Sequence, residues 1–265
     1  MTPIPLNAFN PGPMTGDGNW TWLLAGRVPT LIDAGTGDPR HLDALSRALG
    51  GRQLAQVLVT HAHSDHASGA PAIAARMQSA RFLKVPWPDR DARWTAPWES
   101  VNDGDMIDAG ETSLRVVHTP GHAPDHACFW HEASRTLFCG DLAMKGSTIY
   151  IPAGHHGDLA AYIASVEHVI ALQPVRLLPG HGPAIDDPVP VLRRYVVHRR
   201  EREQQILELV KSGLTTSEAI AAQLYRGFSD ARFTRAREMV GAHLNKLERE
   251  GRVSRREDAW HMIRP

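Results

Sequence analysis

Apolar residues in the first two thirds of the chain gather into short runs broken by Gly, Pro, Asn and Asp, a strand-and-turn texture. NWTWLLAG and VPTLIDAG, separated around Gly26 and Arg27, predict a hairpin. The spacing then turns helical in DPRHLDALSRALG, where Asp38 suits the N-cap, Pro39 the first position and Gly50 the end. LAQVLVT and RFLKV read as strands, with GAPAIAARMQSA as a helix between them. SLRVVHTPGH, HACFWHE and RTLFCGD add three strands, DLAAYIASVEHVIALQ a helix, and VRLLPGHG a last strand with its loop. Strands alternating with helices, with hairpins interspersed, predict an α/β architecture of sheets covered by helices. One segment has no period: VPWPDRDARWTAPWES scatters Trp87, Trp94 and Trp98 among prolines and charges. It reads as a loop pinned by aromatic packing or as one wall of a substrate groove.

From Val191 the pattern is helical, in VLRRYVVHRREREQQILELVKSG, TTSEAIAAQLY and DARFTRAREMVGAHLNKLEREG. The chain closes on RVSRREDAWHMI, a short hairpin. Three helices and a hairpin predict a winged helix-turn-helix, so residues 1–190 and 191–265 are expected to form two domains. Charge divides at the same place. Of the 29 basic and 29 acidic residues, 13 and 19 fall in residues 1–190, leaving 16 and 10 in the tail. The net charge of zero names no partner, but an acidic front and a basic tail suggest two surfaces of different kinds.

Composition adds little beyond that. The chain's 265 residues and 42% hydrophobic content suit a soluble globular protein with a full core. Cys128 and Cys139 form no CxxC pair, so a thiolate zinc site is not indicated; buried free thiols and a reducing compartment are expected. The N-terminal stretch lacks the basic start and apolar core of a secretory signal, and no run approaches a membrane span. A cytoplasmic protein without a membrane partner is the expectation.

Chemistry concentrates in THAHSDHASG, directly after a predicted strand. His61, His63, Asp65 and His66 do not share the three- or four-residue spacing of a helix face. On an extended turn, alternate side chains point the same way. His61 and His63 should therefore converge on one point, with Asp65 and His66 on a neighbouring one. Imidazole and carboxylate suit zinc, and imidazole suits iron and nickel as well. Further candidates end other predicted strands: His118 and His122 in HTPGH, Asp141 in FCGD and His181 in PGHG.

HAHSDH, TPGH, GD and PGHG, in that order and with LIDAG upstream, resemble the metallo-β-lactamase superfamily. The likeness to one of its members extends through NPGPMT and through the tail from HRREREQQILELV to HLNKLEREGRV, so it covers nearly the whole chain. The resemblance implies an αβ/βα sandwich of two mixed sheets with a two-metal site at one edge. His61, His63 and His122 would hold the first zinc, Asp65, His66 and His181 the second, and Asp141 would bridge them. Asp33 would support the ligand loop, and His126 would stand behind the ligands or face substrate. His118 is expected to be structural or a weak contact, and His155 and His156 to lie in an exposed loop. The activity implied is metal-assisted hydrolysis by water, with Asp65 orienting the nucleophile. The same likeness implies endoribonuclease action on single-stranded RNA. Arg193, Arg194, Arg199, Arg200 and Arg202 either meet phosphates or form a solvated helix face. Two alternatives stay open: hydrolysis of a small ester, thioester or lactam, and a DNA-binding regulator whose zinc domain senses a ligand. The role of the tail stays open between a substrate grip, a lid and a homodimer interface.

Overall fold

In the computed structural model, residues 2–263 are described. They form two compact units. The first takes the chain up to Thr119 with Asp125–Thr148 and Ala171–Val189; the second takes Pro120–Pro124, Ile149–Ile170 and the chain from Pro190. The edge at Pro190 falls where the composition changes. The two earlier segments join the second unit through packing between residues distant in sequence, which composition along the chain does not register.

Two six-stranded sheets build the first unit. One holds β1 (Ile4–Asn7), β2 (Trp20–Leu24), β3 (Thr30–Ile32), β4 (Gln56–Leu58), β5 (Arg81–Lys84) and β6 (Trp98–Ser100), paired in that order. The other holds β7 (Met106–Asp108), β8 (Ser113–His118), β9 (Ala127–His131), β10 (Thr136–Gly140), β11 (Arg176–Pro179) and β12 (Ile185–Asp186), also in sequence order. β2 and β3 form the expected hairpin, with Trp22 opposite Ile32. Side-chain alternation then sorts the core into two layers. Trp22, Leu24, Ile32, Leu58 and Leu83 meet Leu114, Val116, Phe129, Phe138 and Leu178 of the second sheet. Their neighbours Leu23, Leu31, Val57 and Phe82 face the other way, against Leu42, Leu45 and Leu49 of α1 (Pro39–Leu49) and Ile73 of α3 (Ala70–Arg76). Each of these buried leucines contributes about 1.5–3 kcal/mol relative to exposure. Between those helices lies α2 (Ser64–Ala67). The segment without a period contains a short helix, α4 (Pro88–Asp91), and then β6, which pairs in parallel with β5. Cys128 and Cys139 are buried free thiols, and burial pushes the Cys128 thiol up to about 12.

Helix α1 behaves as its sequence dictates. The Asp38 carboxylate accepts from the Arg40 N–H at 2.8 Å, and Gly50 ends the helix in the left-handed region at φ 59°. The helix also buries His41, whose Nε2 lies 2.8 Å from the Thr21 hydroxyl. Burial outweighs the pull of Asp38 and lowers this imidazole to about 4. The unfolded chain protonates it near 6.5, so its stability contribution is complete above that pH and is lost as pH falls towards 4. The amount is roughly 3 kcal/mol. Urea titrations from pH 7 to 4 are expected to show that decline and His41→Gln to reduce it; equal slopes in the two proteins would clear His41 of the effect.

The second unit contains α5 (Leu159–Ala171), most of α6 (Pro188–Lys211), α7 (Ser217–Leu224), α8 (Asp230–Arg249) and the hairpin β13 (Val253–Arg256) and β14 (Ala259–Met262). Ile206, Leu207, Ile220, Val240, Leu244, Leu247, Val253 and Trp260 form its winged-helix core. The Thr216 hydroxyl caps α7 by accepting from the Ala219 N–H at 3.1 Å. No helix among the described residues is long and apolar enough to cross a membrane.

Candidate metal centre

Strand pairing places the ligands. β3 and β4 run parallel with Ile32 opposite Leu58, so Asp33 and the turn from Thr60 leave the sheet side by side. β10 and β11 are likewise parallel, with Gly140 opposite Pro179, which brings Asp141 beside Gly180 and His181. Carboxyl ends of parallel strands thus gather residues 33, 60–66, 141 and 181, a common place for ligand sites in α/β sheets. His122 lies in the Pro120–Pro124 turn between β8 and β9, whose flanking residues are joined by the Thr119 N–H donating to the His126 carbonyl at 2.8 Å.

Among the described residues, three groups of donor atoms result, each within 4.8 Å: His61, His63 and His122; His61, His66 and Asp141; Asp65, His66 and His181. All seven sequence candidates are included. The turn differs from the expected extended form after His63, because Ser64–Ala67 closes one helical turn, with the Ala67 N–H on the His63 carbonyl at 2.9 Å. Asp65 and His66 therefore leave a helix start rather than an extended strand. His118 ends β8 outside these groups, its N–H on the Asp103 carboxylate at 2.8 Å, and His155 and His156 are exposed.

Outer partners set the imidazole orientations. Asp33, held at φ 63°, accepts from the Thr60 N–H at 2.8 Å and from His66 Nδ1 at 2.7 Å. His122 Nδ1–H donates to the Tyr150 carbonyl at 2.7 Å. With Nδ1 engaged in this way, Nε2 is the nitrogen through which either ring would coordinate a metal. His126 is buried and accepts the Asp141 N–H on Nε2 at 3.0 Å, so it holds the backbone of Asp141 from behind. Gly180 is needed for this approach: a Cβ there would lie 2.5 Å from His66 Cε1.

The site fits cations. Among the described residues no hydrogen-bond partner meets the buried His66 Nε2, which lies 3.5 Å from Asp65 Oδ2 and 3.4 Å from Asp141 Oδ1. Burial by itself would lower the His66 imidazole, but Asp33, Asp65 and Asp141 outweigh it and raise it well above the usual value. Burial likewise opposes ionisation of Asp65, yet His66 and His181 hold its carboxyl well below the usual range. Anionic and imidazole donors packed this closely, away from bulk water, suit a divalent metal of the zinc or iron kind.

A support that the sequence did not signal surrounds Ala62, between His61 and His63. Its N–H donates to Asp125 Oδ2 at 2.8 Å, and its carbonyl accepts from the Trp94 indole at 3.2 Å. Asp125 is buried and pairs with Lys84 Nζ at 3.0 Å; Lys84, only 1% exposed, also meets Asp91 at 2.7 Å. Burial raises the Asp125 carboxyl against the opposing Lys84 charge. A lysine inside the apolar strand RFLKV was the one available cue. Trp94, from the segment without a period, thus braces the ligand turn.

This combination of paired sheets and a histidine–aspartate cluster defines a metallohydrolase fold, and the chain belongs to the metallo-beta-lactamase superfamily, whose family model matches residues 14–181. Residues 216–260 match the beta-lactamase associated winged helix domain. Within the superfamily, the chain is 31% identical over 253 residues to the beta-lactamase-like protein 2 homolog of Caenorhabditis elegans, covering 92% of this chain and 83% of that one. A beta-lactamase domain protein from Burkholderia ambifaria shares the fold across 98% of this chain and 91% of its own, with TM-score 0.83 and 21% identity. TTHA1623, solved in a di-iron-bound form, is 27% identical, with TM-score 0.58 over 72% of this chain and 97% of its own. The αβ/βα fold, the winged helix and the hydrolase class expected from the sequence are therefore established.

Proposed function

We propose that the protein is a two-zinc hydrolase that cleaves an ester-like bond with water, the phosphodiester of single-stranded RNA being its first candidate. The observation that carries the two-metal reading is the linkage of the three donor groups through His61 and His66. His61, His63 and His122 would hold one zinc, Asp65, His66 and His181 the other, with Asp141 between them. A bound zinc pair supplies Lewis acidity to the oxygen that gains charge and brings the pKa of water to near 7. Asp65, a candidate ligand partly open to solvent, would orient the attacking water and take its proton. A cytoplasmic, reducing setting suits the two buried free thiols.

The RNA reading draws on the sequence resemblance and on exposed Arg193 and Arg194. The rest of that arginine cluster is engaged: Arg199 is buried, Arg200 pairs with Glu167 at 2.6 Å, and Arg202 lies over the Tyr225 ring at 4.7 Å. One observation favours a second reading, a small ester, thioester or lactam. A cavity of about 670 Å³ in the first unit is lined by Trp20, Trp22, Met144, Leu178 and His181, an apolar wall beside a candidate ligand. The regulator reading finds no such support. Within the second unit, Glu238 and Met239 of α8 bond to the Gly154 and Ile151 N–H groups, so part of the helix that would read DNA is covered.

A panel of single-stranded RNA, a thioester, a lactone and a penicillin tests the reading on zinc-loaded wild type and Asp65→Ala. Metal-dependent RNA cleavage that falls at least about 10²-fold in the variant supports the first candidate. Turnover confined to the acyl compounds selects the second, and RNA cleavage equal in both proteins would come from a contaminant. Elemental analysis is expected to find close to two zincs per chain; iron in their place would keep the site and correct the metal.

A further inference from the structure

The turn that carries His122 is built into the second unit, and its contacts there are specific. The Pro120 carbonyl accepts from the Ser165 hydroxyl at 2.8 Å, and the Gly121 carbonyl accepts from the Asp158 N–H at 2.8 Å. Gly121, at φ 138°, presses so closely on α5 that a Cβ would lie 2.4 Å from the Tyr162 N and Cα. The His122 ring is aimed by the Tyr150 carbonyl.

Those partners are held in turn by winged-helix residues. Arg199 of α6 donates its guanidinium to the Ile149 carbonyl and lies over the Tyr162 ring at 5.7 Å. Met239 of α8 accepts the Ile151 N–H on sulfur at 3.0 Å. Tyr150 is therefore flanked on both sides by contacts to the C-terminal helices. Farther along, Glu238 accepts the Gly154 N–H at 2.9 Å, and Arg249 grips the Asp158 carboxylate through two bonds of 2.6 and 2.7 Å. The Arg249–Asp158 pair is partly exposed and is worth little by itself. Arg199 differs. It is 4% exposed, and a buried guanidinium gives up hydration that only fixed acceptors and ring faces replace.

From these contacts we propose that the winged-helix part serves as a scaffold for a metal ligand, with Arg199 as the positioning residue that fixes His122 through Ile149–Tyr150 and Tyr162. This rests on the two-metal reading. It gives the tail a role within its own chain and accounts for an arginine that neither a phosphate patch nor a solvated helix face describes. Loss of such an outer support weakens metal binding by about 10–100-fold.

The test uses the full chain and reads zinc affinity by chelator competition, with cobalt substitution and its visible spectrum to follow the ligand field of each site. Arg199→Met is expected to weaken one of the two zinc sites by about 10–100-fold and to alter one of the two cobalt signatures, while Arg199→Lys recovers most of the loss. Far-UV circular dichroism checks folding. If Arg199→Met does not fold, Ser165→Ala, which removes only the hydroxyl on the Pro120 carbonyl, carries the test with the same expectation for one site. A folded variant that keeps both zincs at wild-type affinity, or that loses both equally, overturns the proposal. Wild type that takes up no zinc or cobalt overturns the two-metal reading itself, a separate and recognisable result.

Discussion

Asp141→Ala is expected to abolish turnover while the chain stays folded. Asp141 Oδ1 lies 3.4 Å from His66 Nε2 and 3.3 Å from His181 Nε2, and the residue also shares a donor group with His61. It is the carboxylate that reaches both ligand sets. Loss of an outer partner already costs 10–100-fold in metal affinity or activity, so loss of this donor should cost at least about 10²-fold. The backbone should keep its place, because the Asp141 N–H still donates to His126. Turnover of whichever substrate the panel selects, measured with zinc content on the same sample, decides the matter. Full activity in Asp141→Ala would mean that the bridge has been assigned to the wrong residue.

The second large effect concerns stability. Lys84→Met is expected to cost about 3–5 kcal/mol, because it leaves the buried Asp125 beside Asp91 without their shared cation. Denaturant unfolding of the metal-free protein measures this. The double variant Lys84→Met with Asp125→Leu should recover the part of the loss that comes from Asp125, since an apolar pair is tolerated where an unpaired charge is not, while Asp91 stays without its cation. Zinc affinity should not recover with it: Asp125 also accepts the Ala62 N–H, and leucine leaves the turn between His61 and His63 without that anchor. Stability and metal affinity returning together would show that Asp125 only balances charge. A Lys84→Met protein as stable as wild type would contradict the buried pair altogether.

Much of the fold was legible because it is locally encoded. The α1 boundaries follow from Asp38, Pro39 and Gly50, each acting within a turn of its own position. The β2–β3 hairpin follows from alternation on either side of a turn. Where the forces are longer in range, local pattern is silent. β1, β6 and β7 are short strands that form because a neighbour offers hydrogen bonds, and their own residues carry too little pattern to announce them. Trp94 illustrates the limit: the sequence marks it as unusual, but its indole N–H finds a carbonyl 32 residues away in the chain. Arg199 looked like one charge among many, and burial removes it from the surface that its neighbours share.

By itself, the amino-acid order determined the layered α/β class, the winged-helix tail and the crowding of His61, His63, Asp65 and His66 into one turn, since each depends on residues close together in the chain. Only the tertiary structure decided that His122, Asp141 and His181 reach the same place, that Lys84, Asp125 and Trp94 brace the turn, and that Tyr150 aims His122. Those contacts depend on parallel strand register and on backbone carbonyls presented by distant segments. A carbonyl carries no residue identity, so no side-chain pattern records which one a histidine or an indole will meet.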